Sequence, residues 1–251
     1  MNIAIFGGTF DPIHRGHLAV ARAAQEQFDL GRVYFVPADV PPHKQRRMVT
    51  AFYHRYAMVA LGTAGHASFV PSLLEAPAAD ALRAPSYSID TVRRLRAVLP
   101  KRDRLFFLIG IDAFLEIGSW HKAEELLQEI EFIVVSRPGF SLSDVADALP
   151  EGLRPAASIR RPFQETPAGG DLVLGRVVIH VLPEVRERVS ATQLRSAAGK
   201  GRSLGKLVPG PVAEYIRKMR LYRQAAEVPA VTSRPQDGKV ISIRHGKRKH
   251  S

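Results

Sequence analysis

The residues best equipped for chemistry stand in one string near the start of the chain, Gly7-Gly8-Thr9-Phe10-Asp11-Pro12-Ile13-His14-Arg15-Gly16-His17-Leu18. Glycines let a backbone approach a phosphate closely, and a helix opening just after them offers unpaired N–H groups and a favourable dipole to an anion. The stretch Gly7, Gly8, Thr9 and Phe10 therefore reads as an anion cradle. His14 and His17 lie three positions apart at the helix entrance and can face one pocket. Two imidazoles there can donate hydrogen bonds to oxygens that gain charge as a phosphoryl group transfers. The same spacing suits metal ligands or a helix cap, although no cysteine or acidic cluster accompanies it.

Three further places carry usable groups. In Val189-Ser190-Ala191-Thr192-Gln193-Leu194-Arg195, hydroxyls that open a helix can cap it and bind phosphate, while Arg195 projects from the same face as Thr192. Asp112 follows the apolar run Phe107-Leu108-Ile109 and Gly110, where a carboxylate can hold a ribose hydroxyl or cap a helix. Trp120, between Ser119 and His121, is either a ring platform or a core aromatic.

These groups need a scaffold that brings them together. Apolar runs at 2–6, 32–36, 68–70, 105–109, 132–135 and 177–181 alternate with helical spacing at 15–28, 51–62 and 88–99. The runs at 105–109 and 132–135 are almost continuously apolar, as befits parallel strands buried on both faces. The alternation predicts an α/β fold, a doubly wound and mostly parallel sheet with ligands at the carboxyl ends of its strands. Two helices, 192–198 and 211–222, close the pattern. The expected organisation is one domain over 1–224, with an inserted loop at about 140–175, followed by a basic and disordered tail over 225–251.

Composition narrows the chemistry. The 251 residues are 45% hydrophobic and 24% charged and include no cysteine, so disulfides, thiolate metal sites and a cysteine nucleophile are excluded. No apolar stretch reaches the roughly 18 to 20 residues of a membrane span. The start of the chain reads as a first strand and not as a secretion signal, so a cytoplasmic protein with no membrane partner is expected. The net charge is +12, of which the tail holds +4 through six basic residues against two acidic ones. An excess of cations suits a triphosphate ligand and also suits nucleic acid, so charge does not choose between them.

The opening string resembles the signature of the HxGH nucleotidyltransferase superfamily, and in this form it is similar to that of bacterial nicotinate-nucleotide adenylyltransferases. Pantetheine-phosphate adenylyltransferases usually carry threonine where this chain has His14. Further segments resemble that family in order: Pro37-Ala38-Asp39-Val40-Pro41-Pro42-His43-Lys44, Pro85-Ser86-Tyr87-Ser88-Ile89-Asp90-Thr91, Gly110-Ile111-Asp112, Ser136-Arg137-Pro138-Gly139, and the Ser190 to Arg195 segment, where Ala191 replaces a serine. The resemblance implies AMP transfer from ATP to nicotinate mononucleotide, with Mg²⁺ carried by ATP and no protein-bound metal. It implies catalytic roles for His14, His17, Lys44 and Arg195. ATP contacts would come from Gly7, Gly8, Thr9, Phe10, His17, Asp112, Arg137, Ser190, Thr192 and Arg195. The mononucleotide would meet Lys44, Tyr87, Thr91, Asp112 and Trp120. Two rivals remain at this stage: the same transfer to nicotinamide mononucleotide or another phosphate ester, and a catalytically silent nucleic-acid-binding relative. The intact His-x-Gly-His and Thr-x-x-Arg disfavour nucleic acid as the partner.

Overall fold

In the computed structural model, residues 1–39, 49–77, 86–156, 170–185, 187 and 189–223 are described. Seven strands among them form one sheet: β1 (Asn2–Gly8), β2 (Leu30–Pro37), β3 (Phe69–Pro71), β4 (Arg104–Gly110), β5 (Glu131–Val135), β6 (Gly170–Leu174) and β7 (Val177–Leu182), in the order β3-β2-β1-β4-β5-β7-β6. All neighbours are parallel except β6, which runs antiparallel to β7 at one edge. The chain moves outward from β1 to β3 and then returns to β4 on the other side of β1. The carboxyl ends of β1 and β4 thus flank the point where the winding reverses, the place where open α/β sheets bind ligands.

The alternation of side chains along β1 divides the molecule into two layers. Ile3 and Ile5 enter a cluster with the helices α3 (Ser88–Val98), α4 (Ile111–Phe114), α5 (Ala123–Glu129) and α6 (Leu142–Asp147). Ala4 and Phe6 enter the opposite cluster with α1 (Arg15–Phe28), α2 (Phe52–Thr63), α7 (Ala191–Gly199) and α8 (Gly210–Lys218). Each fully buried Ile or Phe contributes about 1.5 to 3 kcal/mol relative to exposure, so both faces of the sheet hold it in place. Along α1 the buried residues are Gly16, Leu18, Ala21 and Ala24, the helical spacing that the sequence displays.

The structure departs from the expected organisation in two places. The segment read as an inserted loop, 140–175, contains α6, capped by Ser141 and Asp144, and the edge strand β6. Both elements are short, and only Leu172 of β6 is buried, so neither leaves a strong periodic signal. The last helix stops at Lys218, short of the expected 222, because Arg220 and Tyr222 turn into the left-handed region with φ of 52° and 65°. The tail over 225–251 lies outside the described residues.

Candidate active site

The glycine-rich string leaves β1 at the switch point and turns into α1. Phe10 takes a left-handed φ of 46°, and a Cβ on Gly8 would stand 3.0 Å from its ring. That ring is buried against Phe6, Phe35 and the edge of His17. Phe10, expected at the nucleotide, therefore serves with its side chain as the floor under His17, because the turn directs it inward.

His14 occupies the N-cap of α1, and the two histidines cap the helix for each other. The backbone N–H of His17 donates to His14 Nδ1 at 3.4 Å, and that of His14 donates to His17 Nδ1 at 3.2 Å. Their rings stack with centroids 3.7 Å apart. Each Nδ1 is thus an acceptor, which places the ring hydrogen on Nε2 and makes each neutral imidazole a donor at that end. Burial lowers the pKa of His14 to about 4, against a weaker opposing backbone hydrogen bond, so its ring is neutral near pH 7. The capping role and the donor role weighed in the sequence coexist in one arrangement. Gly16 makes it possible: a Cβ there would lie 3.1 Å from His14 Nδ1 and 3.3 Å from the carbonyl of Glu187.

Arg195 reaches this loop from α7. Its Nη1 donates to the carbonyl of Asp11 at 2.8 Å and its Nη2 to Thr192 Oγ1 at 3.2 Å, so a guanidinium distant in sequence sits beside the histidine loop. Ser190 holds the N-cap position of α7, yet its side chain makes no capping bond, contrary to the capping expected of it. Lys44 lies outside the described residues.

A crevice of about 950 Å³ opens beside the glycine turn. Gly7, Gly8 and Thr9 line it together with Tyr87, Thr91, Asp112 and Trp120, so part of the set expected at ATP meets the described residues expected at the mononucleotide; Phe10, His14, His17, Arg137, Ser190, Thr192 and Arg195 are not among its lining residues. Tyr87 stacks on His121 with ring centroids 4.2 Å apart, and Trp120 packs edge-on against Phe107. The indole N–H of Trp120 is shut from solvent and has no acceptor among the described residues. Asp112 pairs with Arg137 at 2.6 Å at the exposed rim. Gly110 holds the N-cap of α4, so Asp112, in the first turn, is not the capping residue.

Several residues of the site escaped the sequence reading. Glu75 lines the crevice and accepts the Thr91 hydroxyl at 2.6 Å, which commits that hydrogen to the protein. Burial pushes the Glu75 carboxyl above its ordinary value, opposed by hydrogen bonds from Thr91 and Ser86. Arg55, only 1% exposed, donates to the carbonyls of Thr50, Thr9 and Asp39 at 2.8, 2.9 and 3.2 Å. Burial lowers its pKa, and the charges of Asp11 and Asp39 oppose the shift. Asp11 itself accepts the Tyr222 hydroxyl at 2.7 Å and the Thr50 N–H at 3.2 Å. A lone Glu, Arg or Tyr in sequence carries no sign of such partners; the aspartate inside the opening string was the one available clue.

Paired imidazole donors beside a glycine turn at a switch point are what a nucleotidyltransferase needs, and the Cytidylyltransferase-like family model matches residues 5–197. A relative from Symbiobacterium thermophilum is 41% identical over 222 residues, covering 88% of this chain and 94% of its own, and one from Geobacter metallireducens is 38% identical over 227 residues, covering 88% and 98%. Both bear the name "Probable nicotinate-nucleotide adenylyltransferase". At that identity and coverage the chain belongs to the nicotinate-nucleotide adenylyltransferase family. The fold agrees with the solved Plasmodium falciparum nicotinic acid mononucleotide adenylyltransferase complexed with NaAD, at a TM-score of 0.60 and 19% identity, over 88% of this chain and 97% of that one.

Proposed function

We propose that this chain transfers AMP from ATP to nicotinate mononucleotide, giving deamido-NAD and pyrophosphate. The observation that carries the reading is a crevice in which the glycine turn of β1 faces Tyr87, Thr91, Asp112 and Trp120. A phosphate oxygen of the mononucleotide attacks the α-phosphorus of ATP in line. The new P–O bond forms as the bond to the bridging oxygen of the β-phosphate breaks, and pyrophosphate leaves with that electron pair. No covalent enzyme intermediate is required.

The imidazoles of His14 and His17, held as Nε2–H donors, meet the non-bridging oxygens whose charge grows in the transition state. Arg195 and Lys44 neutralise the departing pyrophosphate. Backbone groups of Gly7, Gly8 and Thr9 cradle the phosphates, with Ser190 and Thr192 at the mouth of α7. Asp112 holds a ribose hydroxyl, Arg137 flanks the adenine side, and Tyr87, Thr91 and Trp120 hold the pyridine end. ATP enters as its Mg²⁺ complex, so the cation is part of the substrate. The substrates are soluble metabolites, and the enzyme works in the cytoplasm.

Pyrophosphate release, measured side by side with nicotinate and nicotinamide mononucleotides, tests the substrate. A higher kcat/KM for the acid is expected, and a strong preference for the amide overturns the acceptor assignment. Replacing His17 by Ala removes one transition-state donor, which costs about 2.7 to 4 kcal/mol, or roughly a hundred- to a thousandfold in kcat. Full activity in a variant of normal circular dichroism would sink the mechanism.

A further inference from the structure

We infer that Tyr222, at the far end of the described chain, is a positioning residue of the transfer site: its hydroxyl fixes the Asp11 loop that aims Arg195. The inference rests on the adenylyl-transfer reading above and adds to it a residue outside the glycine turn and both substrate walls. Asp11 lies three residues before His14. Its backbone carbonyl receives Arg195 Nη1, while its carboxylate receives Tyr222 on one oxygen and Thr50 N–H on the other. With Asp11 8% exposed, these bonds stand in for water, and a buried carboxylate oxygen that loses its donor pays the full cost of desolvation. Burial and the neighbouring Asp11 charge raise the Tyr222 hydroxyl above its ordinary range, so it stays a proton donor.

The chain uses unusual backbone to bring this hydroxyl to a residue 211 positions away. Arg220 and Tyr222 both adopt left-handed φ, and the Leu221 N–H folds back onto the carbonyl of Ile216. Gly199, at the end of α7, leaves room for the turn: a Cβ there would stand 2.8 Å from the Tyr222 carbonyl oxygen. The helix that carries Arg195 at its middle therefore receives Tyr222 at its end. The guanidinium and the hydroxyl grip the two ends of one residue, Asp11, so loosening one loosens the aim of the other.

The experiment compares the wild type, Tyr222→Phe, Arg195→Lys and the double variant by steady-state kinetics with ATP and nicotinate mononucleotide, with thermal unfolding in parallel. Activity of the wild type is established first, so a failure of the functional reading is seen before the variants are compared. Tyr222→Phe should lower kcat about tenfold, with the KM for the mononucleotide within about twofold, the mark of an interaction used in the transition state. In the Arg195→Lys background the same change should cost less than about twofold, because the two groups act through one residue. Wild-type kcat in Tyr222→Phe, or an undiminished loss in the double variant, overturns the inference. Gly199→Ala, which displaces the Tyr222 carbonyl and leaves Asp11 and Arg195 untouched, provides the second variant. It should lower kcat in the same sense, and normal turnover in a folded Gly199→Ala protein would also count against the inference.

Discussion

At the scale of single residues the site depends on how two histidines are protonated. His14 titrates near 6.5 when unfolded and near 4 when buried, so the unfolded chain binds more protons between those values. The stability that the neutral, buried ring preserves is present above about pH 6.5 and is lost as the pH falls through about 4. The full difference is on the order of 3 kcal/mol. Chemical denaturation at pH 7 and pH 4.5 should show the loss, and His14→Gln should flatten the part of the pH dependence that belongs to this ring. An unchanged slope in that variant would contradict the assignment. The donors themselves were legible in the sequence, because glycine, two imidazoles and a helix start occur within one string. Their tautomers were not, since these depend on backbone N–H directions that only the folded turn supplies.

The elements show why sequence reading reaches some parts of a fold and misses others. Long apolar runs such as Leu105 to Ile109 declare buried parallel strands, and the buried positions of α1 declare its face. Strand β6 and the helices α4 to α6 are too short to repeat a pattern, and packing decides them. Arg55 on α2 is the sharper case. By spacing it belongs to an ordinary helix, yet it ties the glycine turn at Thr9 to Asp39 and Thr50. The planar guanidinium serves these carbonyls from one rigid fork, which an ammonium cannot reproduce. Arg55→Lys leaves at least one half-buried carbonyl without its donor, at about 1 to 3 kcal/mol for each group orphaned. A fall of about 2 to 4 kcal/mol in unfolding free energy is expected by urea titration. A variant as stable as the wild type would show that these bonds are replaceable.

Across the whole molecule the charge is strongly uneven. Between residues 190 and 223 there are eight basic residues and one acidic, a net +7 of the total +12. With +4 on the tail, the first 189 residues are left with only +1. Lys200, Arg202, Lys206, Arg217, Lys218 and Arg220 are exposed on or beside α7 and α8, the layer that carries Arg195. Such a field attracts polyanions over about a Debye length, roughly 10 Å at 0.1 M salt. The KM for ATP should therefore rise several-fold between about 0.05 and 0.5 M salt, while kcat changes less. A KM flat across that range would show that the charge serves something other than ATP capture.

The division of the core into two clusters also bears on kinetics. The histidines and Arg195 stand on helices of one layer, whereas Tyr87, Thr91, Asp112 and Trp120 belong to the other, with the sheet between them. Under the proposed reaction the transferring phosphates would meet the first layer and the pyridine end of the mononucleotide the second, with Asp112 facing both substrates. Damage confined to the pyridine side should appear first in the saturation curve of the mononucleotide, so titrating each reactant separately reports which side of the sheet has yielded.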